Sequence, residues 1–225
     1  MAPAVHPQPP PPADSDSRTA ILDAAQRRFA AHGFAATTIK QIGAEAGVNS
    51  ALLYYYFADK ETLYREVLHR IIAAFVATGL KAFDASQSPA EAIRAIIGAQ
   101  SQFLTSRPEV PRLIARELID HEAAHASEDF SHIAANLFAR LCETIRDGQR
   151  AGAFRGDLDP QFAAISTVAQ VVYFHIARPA VGILLGHGRG GVPDATARAF
   201  ASHAADFALA ALAAPRAAAR TRAKR

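Results

Sequence analysis

The chain contains one cysteine, Cys142, in 225 residues. A lone cysteine excludes an internal disulfide and suits a reducing compartment such as the cytoplasm. On a helix it reads as a small buried apolar side chain. No apolar run approaches the roughly 20 residues a membrane-spanning helix needs. The N-terminus lacks a basic flank followed by a hydrophobic segment, so neither a membrane anchor nor a secretory leader is expected. No stretch alternates apolar and polar residues as a half-buried strand does. The proline-rich start, residues 1–17, holds no Lys or Arg. It predicts an extended, disordered arm, and without positive charge it does not fit the basic extensions that enter minor grooves. The one glycine cluster, GHGRGGVP at 186–193, lacks the lysine and the preceding strand of a phosphate-binding loop and reads as a connection. No cofactor is implied.

Charge is scarce in a different sense. The formal total is +3, but RAAARTRAKR at the C-terminus carries five positive charges and no negative one, and without it the total is −2. Asp14 to Arg70 holds seven acidic and seven basic residues. Bulk charge therefore gives no argument for a nucleic-acid partner; only the placement of individual groups can. The basic tail, 214–225, reads as a solvated, disordered end.

What is present is helix. Half of the residues are hydrophobic, enough for a real core. Ile21, Leu22, Ala25, Phe29 and Ala30 form an apolar stripe on a first helix expected to start near Ser17 and end at Gly33. Thr38 followed by Gln41 has capping-box spacing, and Ile39, Ile42 and Ala46 give the next helix one apolar face. Gly47 stands where a helix ends, and Asn49 can cap a third helix from Ser50 to Phe57. At about 100° per residue, Leu52, Leu53, Tyr56 and Phe57 share its inner side, and Ser50, Ala51, Tyr54 and Tyr55 share the outer. Helix, glycine turn and helix make a helix-turn-helix, whose second helix enters a DNA major groove. The small Ser50 and Ala51 let the backbone approach base edges. The hydroxyls of Tyr54, Tyr55 and Tyr56 can reach phosphates, and Lys60 can neutralise one. Arg18, the helix start at Thr38, and the side chains of Lys40 and Asn49 are further candidate DNA contacts.

From Arg18 to Leu68 the chain resembles the DNA-binding domain of TetR-type transcriptional regulators. The matching runs are RTAILDAAQRRFAAHGF, ATTIKQIGAEAGV and LLYYYFADKETLYREVL. The resemblance implies an all-α, non-enzymatic protein. A helix-turn-helix head, 18–68, would be joined by a long helix to a helical effector-binding and dimerisation body, 69–213. It also implies a cytoplasmic repressor that binds a palindromic double-stranded operator as a homodimer and is released by a small molecule.

The body reads as further helices. One follows Asp59 and runs past Phe75. Another opens at the capping box Ser88-Pro89-Ala90-Glu91, and a third runs from Pro108 to about His121 with Leu113, Ile114 and Leu118 buried. Ser127 begins a helix to about Gly152 that buries Phe130. Asp159-Pro160 begins an almost wholly apolar one in which Pro179 should make a kink or mark a break, and Asp194 begins the last. The segments 160–186 and 194–213 are too apolar for a monomer surface and are expected to pair with their copies as a four-helix interface. Candidate effector contacts are Phe103, Arg116, His121, Phe138, Tyr173 and His175.

One motif competes. His121-Glu122-Ala123-Ala124-His125 fits H-E-x-x-H, in which two histidines on one helical turn chelate zinc and the glutamate acts as base. It supports an alternative, a metal-responsive regulator or a zinc peptidase. Ser127 places a helix end close by, however, and no third ligand is evident at peptidase spacing. No metal ligand is therefore assigned.

Overall fold

The computed structural model describes residues 15–83, 87–188 and 191–214; most of the arm and of the basic tail, and part of the glycine cluster, lie outside them. Among the described residues the structure is helical, with one isolated antiparallel bridge between Phe154 and Ala213. No single helix is long and apolar enough to cross a membrane. The chain forms two compact units. The first contains residues up to Ile71 together with Arg112–Glu128; the second contains Ile72–Pro111 and everything from Asp129 onward. The expected division was linear, with a break at residue 68. Residues 112–128 join the first unit because their side chains pack against its aromatic centre, a long-range contact that sequence spacing does not announce.

In the first unit α1 (Ser15–Ala36) is interrupted at Gly33, whose φ of 80° and ψ of 171° turn the chain toward α2 (Ile39–Ala46). The first regular stretch thus ends at Gly33, as its periodicity suggests, and begins at Ser15, slightly before Ser17. Ile21, Ala25 and Phe29 are fully buried. Tyr64, from α4 (Lys60–Lys81), meets Phe29 edge-on at 4.9 Å and Phe34 at 5.0 Å. Each such buried large side chain contributes roughly 1.5–3 kcal/mol. Thr37 is buried at the α1–α2 corner, its hydroxyl donating to the Gly33 carbonyl at 2.8 Å.

The second unit is built around α5 (Pro89–Ser106), which opens with the reciprocal Ser88–Glu91 capping box and buries Ile93, Ile96, Ile97 and Leu104. Against it pack α8 (Ala135–Arg150), α9 (Pro160–Ile176) and α11 (Asp194–Leu212). The buried face of α11 is alanine at 197, 201, 204, 205 and 208, which lets its backbone lie close to α5. Phe174 stacks on Phe200 at 4.0 Å.

Two expectations fail locally, and the break expected at Pro179 is present. Leu118, on α6 (Glu109–Asp120), is 46% exposed because it lies about 140° round the helix from the buried Leu113. The single helix from Ser127 is instead a short turn, α7 (Ser127–Asp129), then a π segment Phe130–Ala134, then α8. A π turn inserts a residue and rotates what precedes it, and Phe130 is left exposed. The apolar helix from Pro160 breaks at Ala177 and bends by 79° into α10 (Arg178–Leu184). Pro179 sits in the first turn of α10, where its missing N–H costs nothing, so the break precedes it.

Candidate nucleic-acid interface and effector residues

The turn between α2 and α3 (Ser50–Tyr56) is set by local chemistry. Thr38 and Gln41 form the capping box at the start of α2, and Gly47 closes that helix with φ of 70°. A side chain at Gly43 would place its Cβ 2.9 Å from the Val48 carbonyl, so glycine there lets the turn fold back on the helix. Asn49 caps α3, its Oδ1 accepting from the Leu52 N–H at 2.8 Å. Leu53 and Phe57 are buried, and Leu52 and Tyr56 are half-buried. On the outer side Ala51 is exposed and Tyr54 and Tyr55 are 57% and 59% exposed, while Ser50 is half-buried. Two neighbouring tyrosines thus stand in solvent on the outer side of α3.

The basic groups are less free than the sequence suggests. Lys60 turns inward: its Nζ donates to the carbonyls of Phe34 at 3.0 Å and Thr37 at 3.2 Å and lies over the Phe34 ring. Its ammonium is engaged by the carbonyls at the corner where α1 breaks, so the expected phosphate contact gives way to a structural one. Arg18 pairs with Glu66 at 2.8 Å and lies over the Phe57 ring. Arg27 and Arg28 both hold Glu45, and their hydrogen bonds keep its carboxyl below the usual range. Lys40 and Thr38 are exposed.

The candidate effector residues do not gather in one place. Arg116 and His121 belong to the first unit. The Arg116 guanidinium donates to the Ala31 carbonyl at 3.2 Å, and His121 packs edge-on against Phe34. Tyr173 is 70% exposed, whereas His175 is 4% exposed. Two residues apart on a helix, they point about 200° from each other and cannot share a wall. Phe103 is buried under the guanidinium of Arg107, with Phe75 edge-on to it, and Phe138 is half-buried.

Around His175 lies polarity that the sequence reading missed. Its Nε2 is 3.2 Å from Ser101 Oγ, and Gln100 and Ser101 are both buried. Nδ1 of His175 and both amide atoms of Gln100 have no hydrogen-bond partner. Buried polar atoms left this way mark a place for water or a ligand. Burial, with the nearby Arg178 cation adding to it, lowers the His175 pKa to about 4, so the ring is neutral at neutral pH. The signal was present: Gln100 continues the three-and-four spacing of Ile93, Ile96 and Ile97 and therefore sits in a core register.

The HEAAH stretch is not helical. It follows the end of α6, with Glu122 and Ala123 in the left-handed region at φ of 51° and 63°. A peptidase reading needs both histidines on one helical turn with the glutamate between them, and this backbone removes that arrangement.

Comparisons with known proteins agree along most of the chain. A family model described as bacterial regulatory proteins, tetR family, matches residues 21–67, and a tetracyclin repressor-like C-terminal domain model matches residues 89–203. The transcriptional repressor NicS of Pseudomonas putida is 30% identical over 161 residues, covering 71% of this chain and 75% of the relative. The repressor KstR2 of Rhodococcus jostii is 30% identical over 171 residues, covering 68% and 78%. A solved tetR-family regulatory protein from Rhodococcus RHA1 superposes with a TM-score of 0.74 at 19% identity, covering 90% of this chain and all of that one (100%).

Proposed function

The chain belongs to the tetR family of bacterial regulatory proteins, and from that premise we propose a homodimeric repressor that reads a palindromic operator with α3 and releases it when a small molecule binds the second unit. The observation that carries the DNA-reading role is the outer face of α3. Ala51, Tyr54 and Tyr55 are exposed at the end of a turn fixed by two side-chain caps and two glycines. Positioning comes from tyrosine hydroxyls, Lys40 and helix-start amides on phosphates, and base reading from the short residues at the start of α3.

Dimerisation is supported by apolar side chains left in solvent on α9 and α11: Phe162 at 71%, Ile165 at 53%, Tyr173 at 70% and Phe207 at 60% exposed. A two-fold pairing of these helices would cover them and present two reading helices to successive half-sites. Repression follows the relatives, NicS and KstR2, both described as repressors. Effector contact is assigned to Phe103, Phe138 and His175, joined by Gln100 and Ser101, whose buried polar atoms offer hydrogen bonds to an uncharged polar group. The ligand shifts DNA affinity only by binding one head spacing better than the other.

The test is a binding selection on fragmented DNA from the source genome at two salt concentrations. A palindromic site that stays enriched at the higher salt is the expected result. Uniform binding that collapses with salt would leave only non-specific phosphate attraction and overturn the reading.

A further inference from the structure

Within the DNA-binding unit, Glu117, His121 and His125 bring one ligand atom each to within 4.8 Å of one another. The set differs from the one the HEAAH motif suggests. The glutamate is Glu117, from the last turn of α6, and Glu122 lies exposed outside it. The two left-handed residues, Glu122 and Ala123, fold the chain back so that His125 returns to Glu117. Its backbone N–H donates to Glu117 Oε1 at 2.9 Å, and its Nδ1 lies 3.2 Å from Oε2. The His121 ring stands edge-on to the His125 ring at 4.6 Å. Phe34 and Tyr64 wall the cluster, each within about 6 Å of both imidazoles by ring centroid.

We propose that Glu117, His121 and His125 form a binding site for a single divalent transition-metal ion in the DNA-binding unit. Three features carry this. The Glu117 side chain is only 3% exposed, and a carboxylate buried that deeply needs a compensating charge. A divalent ion held between Glu117, His121 and His125 supplies that charge. Glu117 Oε2 and His125 Nδ1, 3.2 Å apart, already stand at the separation of two donors to one tetrahedral ion. The donor set of two nitrogens and one oxygen suits Zn²⁺, Co²⁺ or Ni²⁺ rather than Mg²⁺ or Ca²⁺, with a fourth position left for water. Tetrahedral bonds of about 2.0–2.1 Å require donors about 3.3 Å apart, so the cluster must close by roughly 1–1.5 Å. Rotation of the half-buried His121 can supply this. A purely structural Glu117–His125 pair gives His121 no part, and that difference decides the test.

The experiment uses the untagged full chain, stripped with chelator. Zn²⁺ is titrated calorimetrically, Co²⁺ is followed by its ligand-field absorption, and melting is recorded with and without Zn²⁺. Expected are one saturable ion per chain, tetrahedral Co²⁺ bands, and a melting temperature raised by Zn²⁺. His121→Ala should lose affinity by about tenfold to a hundredfold or more, and its metal-free melt is recorded beside the wild type so that lost packing on Phe34 and Tyr64 is separated from lost metal. Absence of saturable binding, or binding unchanged in His121→Ala, overturns the site. Operator binding without metal is measured separately, so failure here leaves the regulator reading intact.

Discussion

Lys60 sets its ammonium 4.3 Å from the centre of the Phe34 ring while donating to the Phe34 carbonyl, which ties the start of α4 to the break in α1. Replacing it by Gln removes a cation–π contact and two charge-assisted hydrogen bonds. A loss of about 1–3 kcal/mol in denaturant unfolding is expected. The salt dependence of operator binding should stay unchanged, because this ammonium is already occupied. A shallower salt slope in Lys60→Gln would return the residue to the phosphate backbone.

Tyr54 and Tyr55 are more than half exposed, so truncating either to Ala should change stability by no more than about 0.5 kcal/mol. Operator affinity should fall clearly. Equilibrium binding and melting on the same preparations check both halves, and unchanged affinity in Tyr54→Ala would place the reading face elsewhere on the head.

Gly43 has no room for a methyl group: its Cβ would meet the Val48 carbonyl oxygen at 2.9 Å, and that neighbour is backbone. Gly43→Ala should therefore cost about 1–3 kcal/mol even though alanine favours helix. Gly98, in the middle of α5, has open space at the same position, and Gly98→Ala should be neutral or stabilising. Unfolding curves of the two variants compare the effects directly.

His175 has a pKa lowered to about 4 from an ordinary value of 6.5. Above pH 6.5 the ring is neutral in the folded and unfolded chains and contributes no pH dependence. As pH falls from 6.5 to 4 the unfolded chain gains a proton that the folded one refuses, so stability declines across that window and levels off below it. The decline is of the order of 3 kcal/mol. His175→Gln keeps a hydrogen-bonding partner for Ser101 and should lose this component. The difference between the two pH–stability profiles is the measurement.

Phe162 and Phe207 are 71% and 60% exposed. If these faces are the two-fold interface, Phe162→Glu with Phe207→Glu should shift sedimentation from dimer to monomer while leaving helicity intact, since neither ring is part of the monomer core. An unchanged mass in the double variant would move the interface to another face.

The sequence alone determined the caps and the helix faces, which depend on neighbours within a turn or two. Both capping boxes, the Asn49 cap, the left-handed Gly47 and the inner and outer faces of α3 follow from residue chemistry at spacings of three and four, because those contacts close within one helix. Tertiary structure decided what depends on partners far along the chain. Lys60 is drawn inward by carbonyls at 34 and 37, and Arg116 by the carbonyl of Ala31. Leu118 is exposed on the side of α6 away from Leu113. Residues 112–128 join the head through Phe34 and Tyr64, and Glu117 displaces Glu122 beside the two histidines because a reversed turn breaks the helical register that the motif assumed. Helical periodicity fixes which residues share a face; only packing shows what each face meets.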